Sequence, residues 1–412
     1  MIEFEKFVLD NGLTLIVHKD KNTPIVSVNT LYKVGARDES PDKTGFAHLF
    51  EHLMFSGSKN IADFDGPLQR AGGQNNAFTN NDFTNYYVTL PKENLDTALW
   101  LESDRMLDLG FSPEGLEVQR KVVIEEFTQR YLNQPYGDLW LSLRPMAYKV
   151  HPYQWATIGK SIAHIEEATM EDVKRFYSRY YSPSNAILTI AGDLDPDFIL
   201  DRVNRWYGDI PSGNGSASNY PGEVIDSKNE CEILKRDVPQ RALHMAWLMS
   251  DRKDEDYYKF DLLSDVLGNG KSSRLYYKLV TEREIFTQVS AFITGSIDQG
   301  LFVVSGMLSE GVEHQEAREA ILLELKNLAD EPPTQRELTK VKNKVLAQKA
   351  LSETGALSKA MNLSYYEMLG DVSAINHFQE GYQKVSAEDV QLMAKQLRKR
   401  GIKELRYERQ NG

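Results

Sequence analysis

The sequence predicts an α+β fold of two related halves, each a mainly antiparallel sheet with helices packed on one side. Three observations predict it. Short Val/Ile-rich or alternating runs, which read as strands, are interspersed with longer runs of helical period. A Gly/Ser/Asn/Pro-rich stretch with almost nothing to bury, PSGNGSASNYPG at 211–222, falls near the middle and reads as a linker. The two sides of it look alike: PIVSVNTLYKVGARDE from Pro24 resembles PQRALHMAWLMSDRKDE from Pro239. TMEDV from Thr169 and SAEDV from Ser386 open late helices with the same capping pattern, a hydroxyl and then a carboxylate three residues on. The expected organisation is therefore an N-terminal half at 1–211, a linker at 212–228 and a related C-terminal half at 229–412.

In chain order, residues 7–18 read as a hairpin turning at Asn11-Gly12, and 24–34 as a Val-rich strand. Residues 43–57 read as a helix with Gly57 at its C-terminal stop. A short helix at 65–71 tolerates Pro67 in its first turn and ends at Gly72-Gly73. Residues 76–91 hold two strands, the second at 83–90. Amphipathic helices follow at 95–109 and 113–132, then a buried strand at 186–191 and a helix at 197–207. In the second half, the helix at 262–267 stands where 43–57 stands in the first; it carries Ser264 and Asp265 and no histidine, so no metal is expected there.

Composition excludes several classes. A formal net charge of −12 argues against a nucleic-acid binder and gives no sign of attraction to anionic lipid. No run of about 18 apolar residues is present, so no membrane partner is expected. Cys231 is the one cysteine, which rules out an intrachain disulfide. The N-terminal stretch has no basic and apolar signal pattern, so a cytoplasmic chain is expected, with a periplasmic one the alternative if a signal peptide has been removed.

The stretch 43–57, KTGFAHLFEHLMFSG, carries the chemistry. On a helical wheel Phe46, Leu49, Phe50, Leu53 and Met54 fall on one side; His48, Glu51, His52 and Phe55 fall on the other. Histidines at i and i+4 can reach one ion, and the intervening glutamate can touch a metal-bound water without being a ligand. The pattern H-x-x-E-H is a zinc-peptidase signature, the reverse of H-E-x-x-H. Catalytic zinc needs three protein ligands and an open position, and the helix 120–131, RKVVIEEFTQRY, is the best source of a third.

At this point the chain resembles the pitrilysin-type zinc metallopeptidases, the family of insulin-degrading enzyme and the mitochondrial processing peptidase. His48-Leu49-Phe50-Glu51-His52 is followed, 74 positions after His52, by Glu126 in VVIEEF. The resemblance extends through NGLTLIV at Asn11, VGARDES at Val34, GGQNNAFTNNDFTNYY at Gly72, NQPYG at Asn133, HPYQWATIG at His151, YSPSNAILTIAGDLD at Tyr181 and SSRLYYKL at Ser272. It implies His48, His52 and Glu126 as ligands of one Zn²⁺ per chain, with Glu125 the alternative third ligand, and Glu51 as general base. It implies Asn76-Ala77-Phe78 as an exposed edge strand to which a peptide substrate adds. Many members carry an acidic residue seven before the last ligand; Gln119 stands there, so any support would be from an amide.

One departure matters. Members complete on one chain carry an Arg and a Tyr, seven apart, that reach the substrate from a later domain. Here Val280 and Thr287 stand at those positions, with Arg283 out of register. The resemblance thus implies a zinc-dependent endopeptidase acting as the catalytic half of a heterodimeric chamber, a same-fold partner supplying Arg and Tyr; a homodimer is the alternative. The rival functions are a non-catalytic scaffold subunit and a zinc-holding peptide-binding protein. Elsewhere, GNGKSS at Gly268 fails as a phosphate loop because Asp265 stands where a glycine is needed. Asp193, Asp195 and Asp197 read as a helix start and not a calcium loop.

Overall fold

The computed structural model describes residues 1–213 and 219–410; residues 214–218, within the expected linker, lie outside the described residues. The chain forms two compact units.

The first unit is built on a sheet of β1 (Glu5–Val8), β2 (Thr14–Lys19), β3 (Ile25–Tyr32), β4 (Gln74–Thr79), β5 (Thr84–Pro91) and β6 (Ala186–Gly192), in the order β1-β2-β6-β3-β5-β4. β2 and β6 run parallel and the other neighbours antiparallel. The opening hairpin turns through Gly12 at φ 85°, a left-handed conformation that favours glycine. The first-half helices of this unit are α1 (Phe46–Leu53), α2 (Asp65–Arg70), α3 (Leu95–Leu107), α4 (Pro113–Phe127), with α5 (Leu139–Ala147) belonging to the second unit, then α6 (Ala163–Glu166), α7 (Met170–Tyr180) and α8 (Pro196–Tyr207).

The second sheet contains β7 (Glu230–Arg236), β8 (Ala242–Leu248), β9 (Phe286–Ile293), β10 (Leu301–Leu308) and β11 (Lys403–Arg409), in the order β7-β11-β8-β10-β9. β7 and β11 are parallel and the rest antiparallel. With β1 set aside, this is the order and direction pattern of the first sheet: first strand beside last, then second, fourth and third. The related halves seen in the sequence are therefore one topology used twice. The remaining helices are α9 (Asp256–Gly268), α10 (His314–Asp330), α11 (Gln335–Ser352), α12 (Ala356–Leu369), α13 (Phe378–Lys384) and α14 (Ala387–Leu397). Among the described residues no helix is long and apolar enough to cross a membrane.

In each unit the helices gather on one side of the sheet, and the opposite face takes one helix from far along the chain. Successive residues of β3 show this for the first sheet. Thr30 Oγ1 donates to Glu102 on α3 (3.1 Å), while Asn29 Nδ2 donates to Ser364 Oγ on α12 (3.0 Å). Neighbouring strand residues point to opposite faces, so α3 and α12 cover different sides. In the second unit α9, α10 and α14 pack on the face of Leu243, Met245 and Trp247, while α5 packs Leu143, Met146 and Ala147 near Ala242, Ala246, Leu405 and Tyr407. Each sheet is thus closed by a helix encoded in the other half of the sequence. For this reason the compact units are discontinuous where continuous halves were expected: 1–127, 155–220 and 349–377 form one, and 128–154, 221–348 and 378–412 the other.

Two expected helices differ in extent. The helix expected at 43–57 is regular only over Phe46–Leu53; Gly57, at φ 95°, turns the loop beyond it rather than stopping the helix itself. The helix expected at 113–132 is α-helical to Phe127 and continues through Thr128–Leu132 as a wider π-type turn.

Candidate metal centre

α1 lies with Phe46, Ala47, Leu49, Phe50 and Leu53 buried. The Phe50 ring stacks against Phe176 and Tyr181, with centroids 5.0 and 5.1 Å away, and its carbonyl accepts from the Tyr86 hydroxyl at 3.3 Å. With that face fixed, His48, Glu51 and His52 are turned to the opposite side and are partly accessible. α4 packs alongside α1. It brings Glu126 Oε2 to 3.4 Å from His52 Nε2 and 3.7 Å from His48 Nε2. The two imidazoles stand nearly perpendicular, 80° apart with centroids at 4.8 Å.

One ligand atom from each of His48, His52 and Glu126 lies within 4.8 Å of the others, the one such group of three metal-ligating side chains among the described residues. Two imidazole nitrogens and one carboxylate oxygen are the donor set of a catalytic zinc site with an open position, so the residues present fit the ion. Glu125, the alternative ligand, is exposed and outside the group.

Glu51, on α1, faces the end of β4. Burial raises its carboxyl above the ordinary range, opposed by hydrogen bonds from the Thr79 hydroxyl and backbone and by the neighbouring His52. A raised carboxyl pKa suits a group that must take up and give back a proton near neutral pH. Thr79 is the last residue of β4, and β4 is an edge strand, paired among the described residues with β5 alone. Asn76 and Phe78 are exposed on it, Phe78 at 38%. The Ala77 amide donates to the Asn76 side chain at 2.8 Å. Gln119 reaches the loop after α1, its amide donating to Ser56 Oγ at 3.0 Å.

In the second unit, Val280 packs against the core, and Thr287 Oγ1 donates to Gln240 Oε1 (3.3 Å) and the Met307 carbonyl (3.4 Å). α9 follows β8 and precedes β9 as α1 follows β3 and precedes β4; its Ser264 and Asp265 are buried.

Three groups around α1 were missed by sequence reasoning. Glu39 is fully enclosed and accepts the Gly45 and Ala47 amides, both at 2.8 Å. Asp104 on α3 accepts from the Ser58 hydroxyl and from Asn60 Nδ2 (2.7 Å), holding the loop beyond α1. Arg105 pairs with Glu102, each 1% exposed, and its guanidinium lies 4.5 Å from the Tyr86 ring centre, 4.8 Å from Phe64 and 5.6 Å from Phe55. The 102–105 pair had a readable signal, opposite charges at i and i+3 in an apolar helix; Glu39, in a loop, had none.

Comparison with known proteins gives a consistent result. A family model described as Insulinase (Peptidase family M16) matches residues 14–151, and one described as Peptidase M16 inactive domain matches residues 167–345. The zinc protease PqqE of Helicobacter pylori is 30% identical over 94% of this chain and 88% of its own length. The uncharacterized zinc protease YmxG of Bacillus subtilis is 24% identical, with 95% of each chain covered. The crystal structure of a protease from Helicobacter pylori superposes with a TM-score of 0.92 at 28% identity, covering 98% of this chain and 100% of that one.

Proposed function

The chain belongs to peptidase family M16, the insulinase family, and on that footing we propose that it is a zinc-dependent endopeptidase cutting peptides or unfolded polypeptide segments. The observation that carries the proposal is the convergence of His48, His52 and Glu126 from two helices, with Glu51 on the same helix face and hydrogen-bonded to the end of an open sheet edge.

His48, His52 and Glu126 would hold the metal. Bound there, zinc supplies Lewis-acid polarisation of a scissile carbonyl and a lowered pKa for a water. Glu51 would serve as the base that accepts a proton from the attacking water and returns it to the leaving amine, with Thr79 fixing its orientation. The peptide adds to the free edge of β4 as an extra strand, so main-chain hydrogen bonds give affinity and its side chains alternate between the two faces. Neither Val280 nor Thr287 can offer the charge or phenol that self-sufficient relatives place there. We therefore assign the chain the zinc-bearing role in a two-chain enzyme whose same-fold partner supplies Arg and Tyr.

The test is cleavage of a mid-length unstructured quenched peptide by the zinc-loaded chain, alone and with a candidate partner. Chelator-sensitive cleavage supports the peptidase reading; none under either condition, with zinc bound, sinks it. Turnover by the chain alone, equal to that of any mixture, removes the two-chain part. Glu51→Gln is expected to retain zinc and lose at least 10²-fold in kcat; unchanged turnover in that variant takes Glu51 out of the mechanism and favours a different base.

A further inference from the structure

The metal helix begins abruptly. Gly45 precedes it at φ 90°, and a Cβ there would come within 2.7 Å of the Ile158 carbonyl oxygen. The first amides of a helix have no partner within it. At α1 two are taken by one side chain: Glu39 Oε2 accepts from Gly45 and Oε1 from Ala47. Ala47 is the residue before His48. The Trp155 indole, whose N–H donates to the Ala36 carbonyl at 2.8 Å, also lies within hydrogen-bonding reach of Glu39.

We propose that Glu39 is a positioning residue of the metal centre: its two oxygens, bonded to the Gly45 and Ala47 amides, set the start and rotation of α1 and so the placement of His48 against His52 and Glu126. The proposal rests on the zinc reading above. α1 is 8 residues long, two turns, so a shift at the Ala47 amide is carried directly to a ligand one residue on. A side chain kept only for stability would be a poor choice here. Burial pushes the Glu39 pKa up to about 8 against the pull of the Ala47 and Gly45 amides, so fold stability falls as pH rises from the ordinary carboxyl range through about 8 and stays at the lower level beyond. A neutral residue of the same shape removes that cost but cannot accept both bonds: a Gln amide offers one oxygen and turns an NH₂ toward the other N–H.

Glu39→Gln separates the two roles. At pH 8.5, zinc affinity is measured by competition with a chromophoric chelator, together with the Tm of the metal-free chain and kcat at saturating zinc. The expected result is zinc affinity at least 10-fold weaker and a lower kcat, with Tm unchanged or higher. Unchanged zinc affinity overturns the proposal, and so does a fall in affinity matched by a fall in Tm, which marks a purely structural cap. A wild-type chain that binds no zinc sinks the metal reading itself and takes this proposal with it. If Glu39→Gln does not fold, Glu39→Asp decides. One methylene shorter, its carboxylate cannot reach both amides, so affinity falls severalfold with Tm retained; unchanged affinity again overturns the assignment.

Discussion

Glu39 makes the folded protein a proton sink. Its ordinary pKa is 4.5 and burial raises it to about 8 in the fold. Between those values the folded chain holds a proton that the unfolded chain has lost, so the contribution of Glu39 to stability falls as pH rises from about 4.5 through about 8 and is level above. The Tm of the metal-free wild type should drop relative to that of Glu39→Gln across this window; parallel Tm curves would refute the shift. The Glu102–Arg105 pair offers a second residue-level test. Arg105→Met alone strands a buried carboxylate and should cost about 3–5 kcal/mol in denaturant unfolding, whereas Glu102→Gln with Arg105→Met should cost far less. Equal losses would show that the rings around the guanidinium, not the ion pair, set its worth. The metal-ligand candidates on α1 were legible because a 3.6-residue period places i, i+3 and i+4 together whatever surrounds them. Glu126 needed a resemblance to find it, because no local rule links two helices. Glu39 was illegible because a loop carboxylate declares its partner only once the chain has turned back at Gly45.

At the scale of the element, the proposed function places substrate on the free edge of β4. A peptide added to its edge alternates, so every second amide faces β4 and the others face away. Single N-methylation along a cleavable peptide should therefore raise KM strongly at one set of alternate positions and little at the other. A uniform effect, or none, would count against strand addition. The edge itself was foreseeable only by resemblance, since a hairpin strand and an edge strand have the same residue pattern. Helix ends were less legible than helix existence. Residues 113–132 keep an amphipathic pattern throughout, and side-chain period does not distinguish an α turn from the wider turn at Thr128–Leu132.

For the whole molecule, the exchange of α5 and α12 outweighs the linker. The seat of α12 on the first sheet is partly polar and entirely closed: Ser364 is bonded to Asn29 (3.0 Å) and Thr189 (2.8 Å), and Asn29 and Asn85 bond each other. A fragment of residues 1–220 contains every candidate metal ligand yet lacks this cover. It should bind a hydrophobic dye and lack near-UV circular dichroism, and supplying 349–377 as a peptide or fused helix should restore both. A 1–220 fragment that melts cooperatively by itself would contradict the assigned role of α12. Duplication was visible in the sequence because it repeats local patterns. The exchange was not, because an apolar stripe announces that a helix is covered and leaves open which sheet covers it.

That exchange also imposes a timetable on synthesis. The first sheet has all its strands once β6 has emerged from the ribosome, and α1 and α4 have emerged before that. The face that receives α12 must wait until Leu369, about 180 residues later. At roughly 5–20 residues per second this is a delay of about 10–35 s. For that interval the nascent chain carries every strand of the first sheet while one face waits, uncovered and loosely packed, for a helix not yet translated.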